Sequence, residues 1–503
     1  MPELHVSHPG TPVFPAVPAE STTATLKSVL GRREVAFQAV SHLSPTAGII
    51  LVGPVLAGFV AASTPLILLM AIVAILFTGL CVTALARKLP SSGGYYTYVS
   101  HGLGERSGFV TAWAYFLYDP LLPTLMLLIS WGSLAPVIKQ NSGLDIPWWA
   151  IVLILLATVF AATYRGVKVS AEMTLIIGVL ESVIIIGLGV LVLIHSGGHS
   201  LSLKPLAFPH PSAGVQPLFL AFAFAVLLFT RFESGEPLAE ETANPRKAIP
   251  RTVIWSTIGV GLIWVFVGYA MVIGWGTSKI ADIAAADNPF FILANRVSGW
   301  AWVALAFALL NSALGAALAG QNAGARVMYS LGRSGTLPRG LARVHRIHQT
   351  PYNALILTTV SNVVACLVLG TWLGPIGGFT FIGLFIALGV IVVYAMGNLA
   401  VIRLCWAKHR DGFNWFHHAV IPVVATAILA VGLYYSVWPL PAWPLNLAIY
   451  IVVGWLVLSV VISLMLGRTR RAELTAAAQL MFENGTGTEG VPSAPAGTAD
   501  GTA

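Results

Sequence analysis

Two stretches of the chain set groups that bind or carry charge inside long apolar runs. The first reads His42-Leu43-Ser44-Pro45-Thr46-Ala47-Gly48, and the second Phe229-Thr230-Arg231-Phe232-Glu233-Ser234-Gly235-Glu236-Pro237. Pro45 removes a backbone donor and Gly48 permits a non-helical backbone; the second stretch combines three charges with a Gly and a Pro. Where such a stretch interrupts a helix, freed amides at a half-helix N-terminus receive a carboxylate, and freed carbonyls at a half-helix C-terminus receive an ammonium or a cation. An amino acid carries both groups. Asp119, in Tyr115-x-x-Tyr118-Asp119-Pro120, either receives a substrate ammonium or is a helix-break carboxylate bonded to the tyrosine hydroxyls. Glu181 follows Lys168 by thirteen residues in an otherwise apolar run, which at ~1.5 Å per residue places it ~20 Å along a helix. An ionisable group at that depth suits a proton carrier, a structural hydrogen bond being the alternative. Glu233 is a second candidate for proton coupling. His42 is a third, against the reading of a bonded structural histidine.

The elements that hold these groups follow from composition. Of 503 residues 57% are hydrophobic and 9% charged, against roughly 25% charged in a soluble globular protein. That excludes an ordinary cytosolic enzyme and makes lipid the solvent for most of the chain. At the ~20-residue window of a membrane span there are twelve apolar cores, near 35–61, 64–86, 107–136, 148–165, 173–195, 215–238, 252–275, 299–330, 353–373, 376–400, 419–438 and 443–466. Uncharged runs such as Ile151 to Phe160 lack the period of two of a porin strand, so the predicted class is an all-α integral membrane protein with 12 transmembrane helices. Residues 1–34 and 467–503, rich in Pro, Thr, Gly and Ala, are expected to be disordered tails flanking a membrane domain over 35–466, and no secretory signal is expected.

The basic residues report topology. With a cytosolic N-terminus, 21 of the 27 Lys and Arg fall inside and four outside (Lys139, Lys204, Lys279 and Arg296), with Arg231 and Arg326 within spans. Both termini are then cytosolic, the membrane is the cytoplasmic (inner) one, and the net charge of +8 follows from topology alone, with no nucleic-acid partner expected. Cys81, Cys366 and Cys405 never form a close-spaced pair, and the histidines, among them His195, His199, His210, His417 and His418, show no metal-ligand spacing. No P-loop is present, so ATP is not the expected energy source and no cofactor is expected.

The two interrupted spans are the first and the sixth. They lie five spans apart, an odd number, so a five-span repeat is inserted upside down relative to its partner, with a midplane site formed by broken helices. At these residues the chain resembles the bacterial amino acid permeases of the amino acid/polyamine/organocation superfamily. The resemblance rests on Phe229-x-x-Phe232-Glu233 followed by Leu238-Ala239-Glu240-Glu241-Thr242-x-Asn244-Pro245-Arg246-Lys247-x-Ile249-Pro250-Arg251. Supporting matches are Leu89-Pro90-Ser91-Ser92-Gly93-Gly94-Tyr95-Tyr96-Thr97-Tyr98 and Gln321-Asn322-Ala323-x-Ala325-Arg326 to Leu337-Pro338. It implies a five-plus-five inverted repeat with broken helices 1 and 6, two extra helices and alternating access. It also implies that an ionisable residue at the position of Glu181 takes the place where sodium-coupled relatives hold an ion. One departure stands out. The family usually has a small residue, typically Gly, two positions before the sixth-span Glu, and here Arg231 stands there; its guanidinium either holds a substrate carboxylate or pairs with Glu233.

The reading is a permease for an amino acid or related amine, a small-molecule substrate moved with protons. The substrate carboxylate is expected at the amides around Ser44, Thr46, Ala47 and Gly48, and its ammonium at carbonyls near Phe229 and Thr230. By family analogy Phe232, or Tyr115 or Tyr118 of the third span, is a movable lid. Glu240, Glu241, Arg246 and Arg251, with Arg333 and Arg339, form either a cytosolic ion-pair gate or a solvated charged face. Rival readings are an exchanger and a transporter-like amino acid sensor. A membrane enzyme would need a clustered catalytic constellation, and none is visible.

Overall fold

The computed structural model describes residues 29–196, 202–208, 216–286, 288–333, 335–408 and 413–469. The expected tails over 1–28 and 470–503, with Lys27, Arg470 and Arg471, lie outside the described residues, as do His199, His210 and Arg410. Among the described residues the chain forms fifteen α-helices joined by short 3-10 and irregular segments, and one isolated backbone bridge between Leu30 and Thr242. Ordered structure begins earlier than the expected boundary at 34. Leu30 is buried, the Val29 and Leu30 amides both donate to the Glu241 carbonyl at 2.9 Å, and the Ala243 amide donates to the Leu30 carbonyl.

Helices α1 (Arg32–Leu43) and α2 (Pro45–Val60) together occupy the first expected span and are separated by Ser44 alone. Then come α3 (Thr64–Lys88), the short α4 (Tyr95–Leu103), and α5 (Glu105–Tyr118) and α6 (Leu122–Ser142), parted by a 3-10 turn over Asp119–Leu121. Next are α7 (Trp148–Tyr164), α8 (Val167–His195) and α9 (Gln216–Leu228), followed by irregular backbone over 229–235 and a 3-10 helix over Glu236–Glu241. The chain continues as α10 (Pro245–Trp275), α11 (Pro289–Val297), α12 (Ala301–Arg333), α13 (Tyr352–Lys408), α14 (Ile421–Val437) and α15 (Leu445–Thr469). Eight of the helical segments are long and apolar enough to cross a membrane, and two shorter apolar helices add to them. The expected cores 353–373 and 376–400 run together as α13, whose only non-helical residue is Gly374 at φ 72. Pro375 disfavours helical backbone at the residue before it, and glycine takes the left-handed conformation without a Cβ clash.

Burial follows helical period. In α8, Ile176, Val179, Val183, Ile186, Val190 and Ile194 form an exposed stripe, whereas Ser170, Thr174, Ile177, Glu181, Ile185 and Leu188 face inward. Exposed aliphatic stripes of this kind continue on α13 and α15, a surface made for lipid and not for water. The inward faces meet on α12, which is buried almost without interruption from Gly315 to Gly332 and packs on α1, α6 and α8. Its Ala and Gly residues allow close approach, which substitutes for the hydrophobic drive that lipid does not supply. Polar groups lock the same faces together. Asn322 Nδ2 donates to Ser170 Oγ at 3.0 Å, Gln321 Nε2 to Thr359 Oγ1 at 2.7 Å, and the Thr124 amide and hydroxyl both donate to Asn362 Oδ1.

Candidate functional site

The first break has a local cause. Pro45 disfavours helical backbone at Ser44, which stands at φ 57 and ends α1 by returning its amide to Val40 and Ser41 carbonyls at 3.2 Å. Pro45 then occupies the first position of α2, where the missing N–H costs nothing, and Gly48 closes the first turn on the Ser44 carbonyl at 2.9 Å. Two amides of that turn remain. The Thr46 amide donates to Glu181 Oε2 at 3.3 Å and the Ala47 amide to Ser312 Oγ at 3.2 Å. The residues expected to meet a substrate carboxylate are thus engaged by a carboxylate and a hydroxyl of the protein itself, an arrangement favoured by the positive end of the helix. Trp264 supports the break from α10: its Nε1 donates to the Pro45 carbonyl at 3.0 Å, and a Cβ added to Gly48 would lie 2.8 Å from its ring and 3.2 Å from Leu228. Gly48→Val is expected to force these groups apart and lower stability by ~1–3 kcal/mol, read as a fall in the thermal unfolding midpoint in detergent; an unchanged midpoint would mean that Trp264 has room to move.

Glu181 is fully buried and has no basic partner among the described residues; its Oε1 accepts no hydrogen bond. On the other side of the break His42 is buried with neither ring nitrogen hydrogen-bonded, 3.7 Å from where a Cβ on Gly320 would sit.

The second break is adjacent to the first. Phe229 packs edge-on against Trp264 with centroids 4.8 Å apart, and Ser234 Oγ donates to the Gln38 carbonyl of α1 at 3.5 Å. Arg231 sits at φ 75, a left-handed conformation that costs a non-glycine residue roughly 1–2 kcal/mol. Its amide donates to the Tyr394 hydroxyl at 2.8 Å, and that hydroxyl in turn donates to the Glu233 carboxylate. The guanidinium forms a buried ion pair with Asp119, with Glu233 Oε1 a more distant second at 3.8 Å, and lies 6.0 Å and 5.8 Å from the ring centroids of Tyr115 and Tyr118. Arg231 therefore joins the third expected span to the sixth. Phe232 is packed edge-on against Tyr394, and Thr230 is half-buried beside it. Tyr394 and Glu236 belong to this cluster and Ser312 to the first break, and none of the three is a candidate from the sequence. Tyr394 and Glu236 carried a signal, a lone hydroxyl in an apolar run and a third charge in the second stretch.

Toward the expected cytosolic side two ion pairs join α12 to the 3-10 helix over Glu236–Glu241. Arg326 Nε and Nη2 hold Glu241 bidentately at 2.6 and 3.3 Å, both residues fully buried. Arg333 binds Glu240 at 2.7 and 3.1 Å, and the same carboxylate accepts the Ser92 hydroxyl at 2.6 Å. Arg326 joins the expected layer, whereas Arg246, Arg251 and Arg339 are exposed and form no ion pair among the described residues. Arg246 and Arg251 lie in the first two turns of α10 and Arg339 at the start of a short 3-10 helix, all on exposed faces. A separate cavity between α8, α10 and α11 is lined by Ile185, Leu188, Val267, Met271 and Phe290, and this apolar wall has no group to orient a polar substrate.

A family model described as amino acid permease matches residues 34–476. Among curated relatives, the low-affinity putrescine importer PlaP of Escherichia coli (strain K12) is 26% identical over 366 residues, covering 71% of this chain and 76% of that protein. The branched-chain amino acid permease BcaP of Bacillus subtilis (strain 168) is 25% identical over 401 residues, covering 75% and 83%. The lysine-specific permease LysP of Lactococcus lactis subsp. cremoris (strain MG1363) is 26% identical over 453 residues, covering 82% and 85%. Among solved structures, an Eremococcus coleocola manganese transporter bound to an aromatic bis-isothiourea substituted compound superposes with a TM-score of 0.54 at 11% identity, over 92% of this chain and 99% of that one. That likeness concerns the fold alone.

Proposed function

The chain belongs to the amino acid permease family, a multi-pass membrane transporter family, and from that membership we propose that it carries an amino acid or related amine across the cytoplasmic membrane by alternating access, coupled to protons. In this reading the chain crosses the bilayer twelve times with both termini cytosolic. Two five-helix repeats of opposite orientation contain the breaks at Ser44 and Arg231, and α14 and α15 are the extra pair. The observation that carries it is the meeting of two non-helical points, buried together among Asp119, Glu181, Glu233 and Arg231, in a chain whose outer surface is aliphatic. Broken backbone and unshared charge at such depth are costly unless a ligand pathway uses them.

Each part has an assigned task. Asp119 and Glu233 offer carboxylates to the substrate amine, with Arg231 as the resident cation that it competes against. Glu181 takes the proton: an ionised carboxylate holds the Thr46 amide strongly, and protonation weakens that hold on the start of α2. Glu240 with Arg333 and Glu241 with Arg326 close the cytosolic side and separate when it opens. Counterflow of labelled substrate in proteoliposomes tests the reading, with all common amino acids and polyamines as competitors. A chain that binds one of them without exchanging it would be a sensor, and the transport assignment would be withdrawn.

Arg231→Gly removes the resident cation and relaxes the left-handed backbone. The expected result is a changed order of competitors in that screen, by about tenfold for at least one compound, with the protein still folded. An unaltered order would make Arg231 a plain structural ion-pair partner of Asp119.

A further inference from the structure

We propose that the chain binds an anionic phospholipid between the end of α3 and the start of α14, with the lipid phosphate held by Lys88 and His418. The first ground is a cation without an anion. Lys88 closes α3 on the expected cytosolic side, half-buried, and its ammonium donates to Cys405 Sγ of α13 at 3.6 Å. A thiol is a weak acceptor for so strong a donor, and a cation withdrawn from water needs a counter-charge. No ion pair among the described residues involves Lys88 or its exposed neighbour Arg87.

The second ground is a second donor on a separate helix. α14 packs on α3, and His418 lies half-buried in the π-helical turn Phe416–Val420 that opens α14, close enough to Lys88 to feel its charge. Its Nδ1 accepts the Asn414 amide at 2.9 Å, so the hydrogen of the neutral ring sits on Nε2 and makes that atom a donor. Asn414 Oδ1 takes the Phe416 and His417 amides at 3.0 and 3.1 Å, which fixes the turn. An ammonium and a ring N–H brought together from two helices suit a phosphate, which accepts from several directions at once. A zwitterionic headgroup would set its own cation beside Lys88. An anionic one adds none.

The third ground is what surrounds these donors at two depths. Trp406, Phe413 and Trp415 meet edge to face with centroids 5.2 to 5.5 Å apart, and Trp415 and the adjoining Phe416 are 66% and 59% exposed. Rings of this kind settle at the level of lipid headgroups. Toward the bilayer the surface turns aliphatic. Leu80, eight residues before Lys88 and so ~12 Å along α3, is exposed, as are Val420, Val423 and Val424 on α14. A free anion would satisfy the donors and leave that surface bare, whereas a phospholipid covers both. The place also adjoins the layer of ion pairs, because four residues beyond Lys88 the Ser92 hydroxyl donates to Glu240.

The test is lipid binding to the delipidated full-length protein, titrated with phosphatidylglycerol or with phosphatidylcholine of the same acyl chains and read by native mass spectrometry. The first phosphatidylglycerol is expected to bind about tenfold tighter than the first phosphatidylcholine. Lys88→Gln is expected to cut that preference to about twofold, and Lys88→Arg to keep it, because a guanidinium also holds phosphate. Arg346→Gln, an exposed basic residue on the loop between α12 and α13, is expected to leave it in place. Should Lys88→Gln not fold, His418→Gln is read in the same way. Equal affinity for the two lipids, a preference that survives in Lys88→Gln, or an equal loss in Arg346→Gln overturns the inference, the last by showing a general attraction of charge. Displacement of phosphatidylglycerol by excess inorganic phosphate overturns it too, since the acyl chains would then contribute nothing.

Discussion

Proteoliposomes carrying Glu181→Gln are expected to exchange labelled substrate across equal pH and to lose accumulation driven by a proton gradient, which for one coupled proton amounts to about tenfold per pH unit. The expectation follows from the surroundings of this side chain. Glu181 is buried on the inward stripe of α8, has no basic partner among the described residues, and gives one oxygen to the Thr46 amide at the start of α2. Gln keeps the shape and a carbonyl oxygen for that amide, so the break is preserved while the titrating group is gone. Glu181→Ala removes the cap as well and is expected to lower stability by ~1 kcal/mol in addition. Gradient-driven uptake that survives in Glu181→Gln would take the proton away from Glu181 and pass it to Glu233 or His42.

Arg326→Ala is expected to be the most destabilising single change in the cytosolic layer. Its guanidinium makes two bonds to Glu241 and two more to Asn322 with no exposure to water, and removing one partner of such a pair leaves a buried uncompensated charge at a cost of ~3–5 kcal/mol. The thermal unfolding midpoint should fall by several degrees, and Arg326→Met combined with Glu241→Leu should recover a large part of the loss, because both charges leave together. Arg333→Ala is the contrasting case. That pair is partly wet, so its stability cost is at most ~1 kcal/mol, and its expected effect is on the balance between open and closed states. An Arg326→Ala protein that unfolds with the wild-type midpoint would show that water reaches Glu241 and that this pair is no lock.

Much of this is legible in the sequence. Pro45 and Gly48 mark the first break by local sterics, and the charge-dense stretch around Glu233 marks the second. The inward placement of Glu181 is readable from the period of α8, in which Thr174, Ile177, Ile185 and Leu188 share its face. Arg326 could have been added to the gate by asking which acid neutralises an arginine in an apolar run, since Glu240 and Glu241 outnumber the expected partner Arg333 once the exposed Arg246, Arg251 and Arg339 are set aside. The sequence leaves Arg231 either a substrate carboxylate or Glu233 two residues away, and the structure gives it Asp119 first and Glu233 second.

What the amino-acid order determined by itself was the solvent, the number of apolar cores and the places where helix cannot continue, because each depends on transfer energies and backbone sterics within a few residues. Only the tertiary structure decided which group satisfies which. The pairing of Arg231 with Asp119 and the capping of Thr46 by Glu181 join residues far apart in the chain. Helix packing sets those distances, and a buried polar atom takes whichever partner the packing brings within about 3 Å.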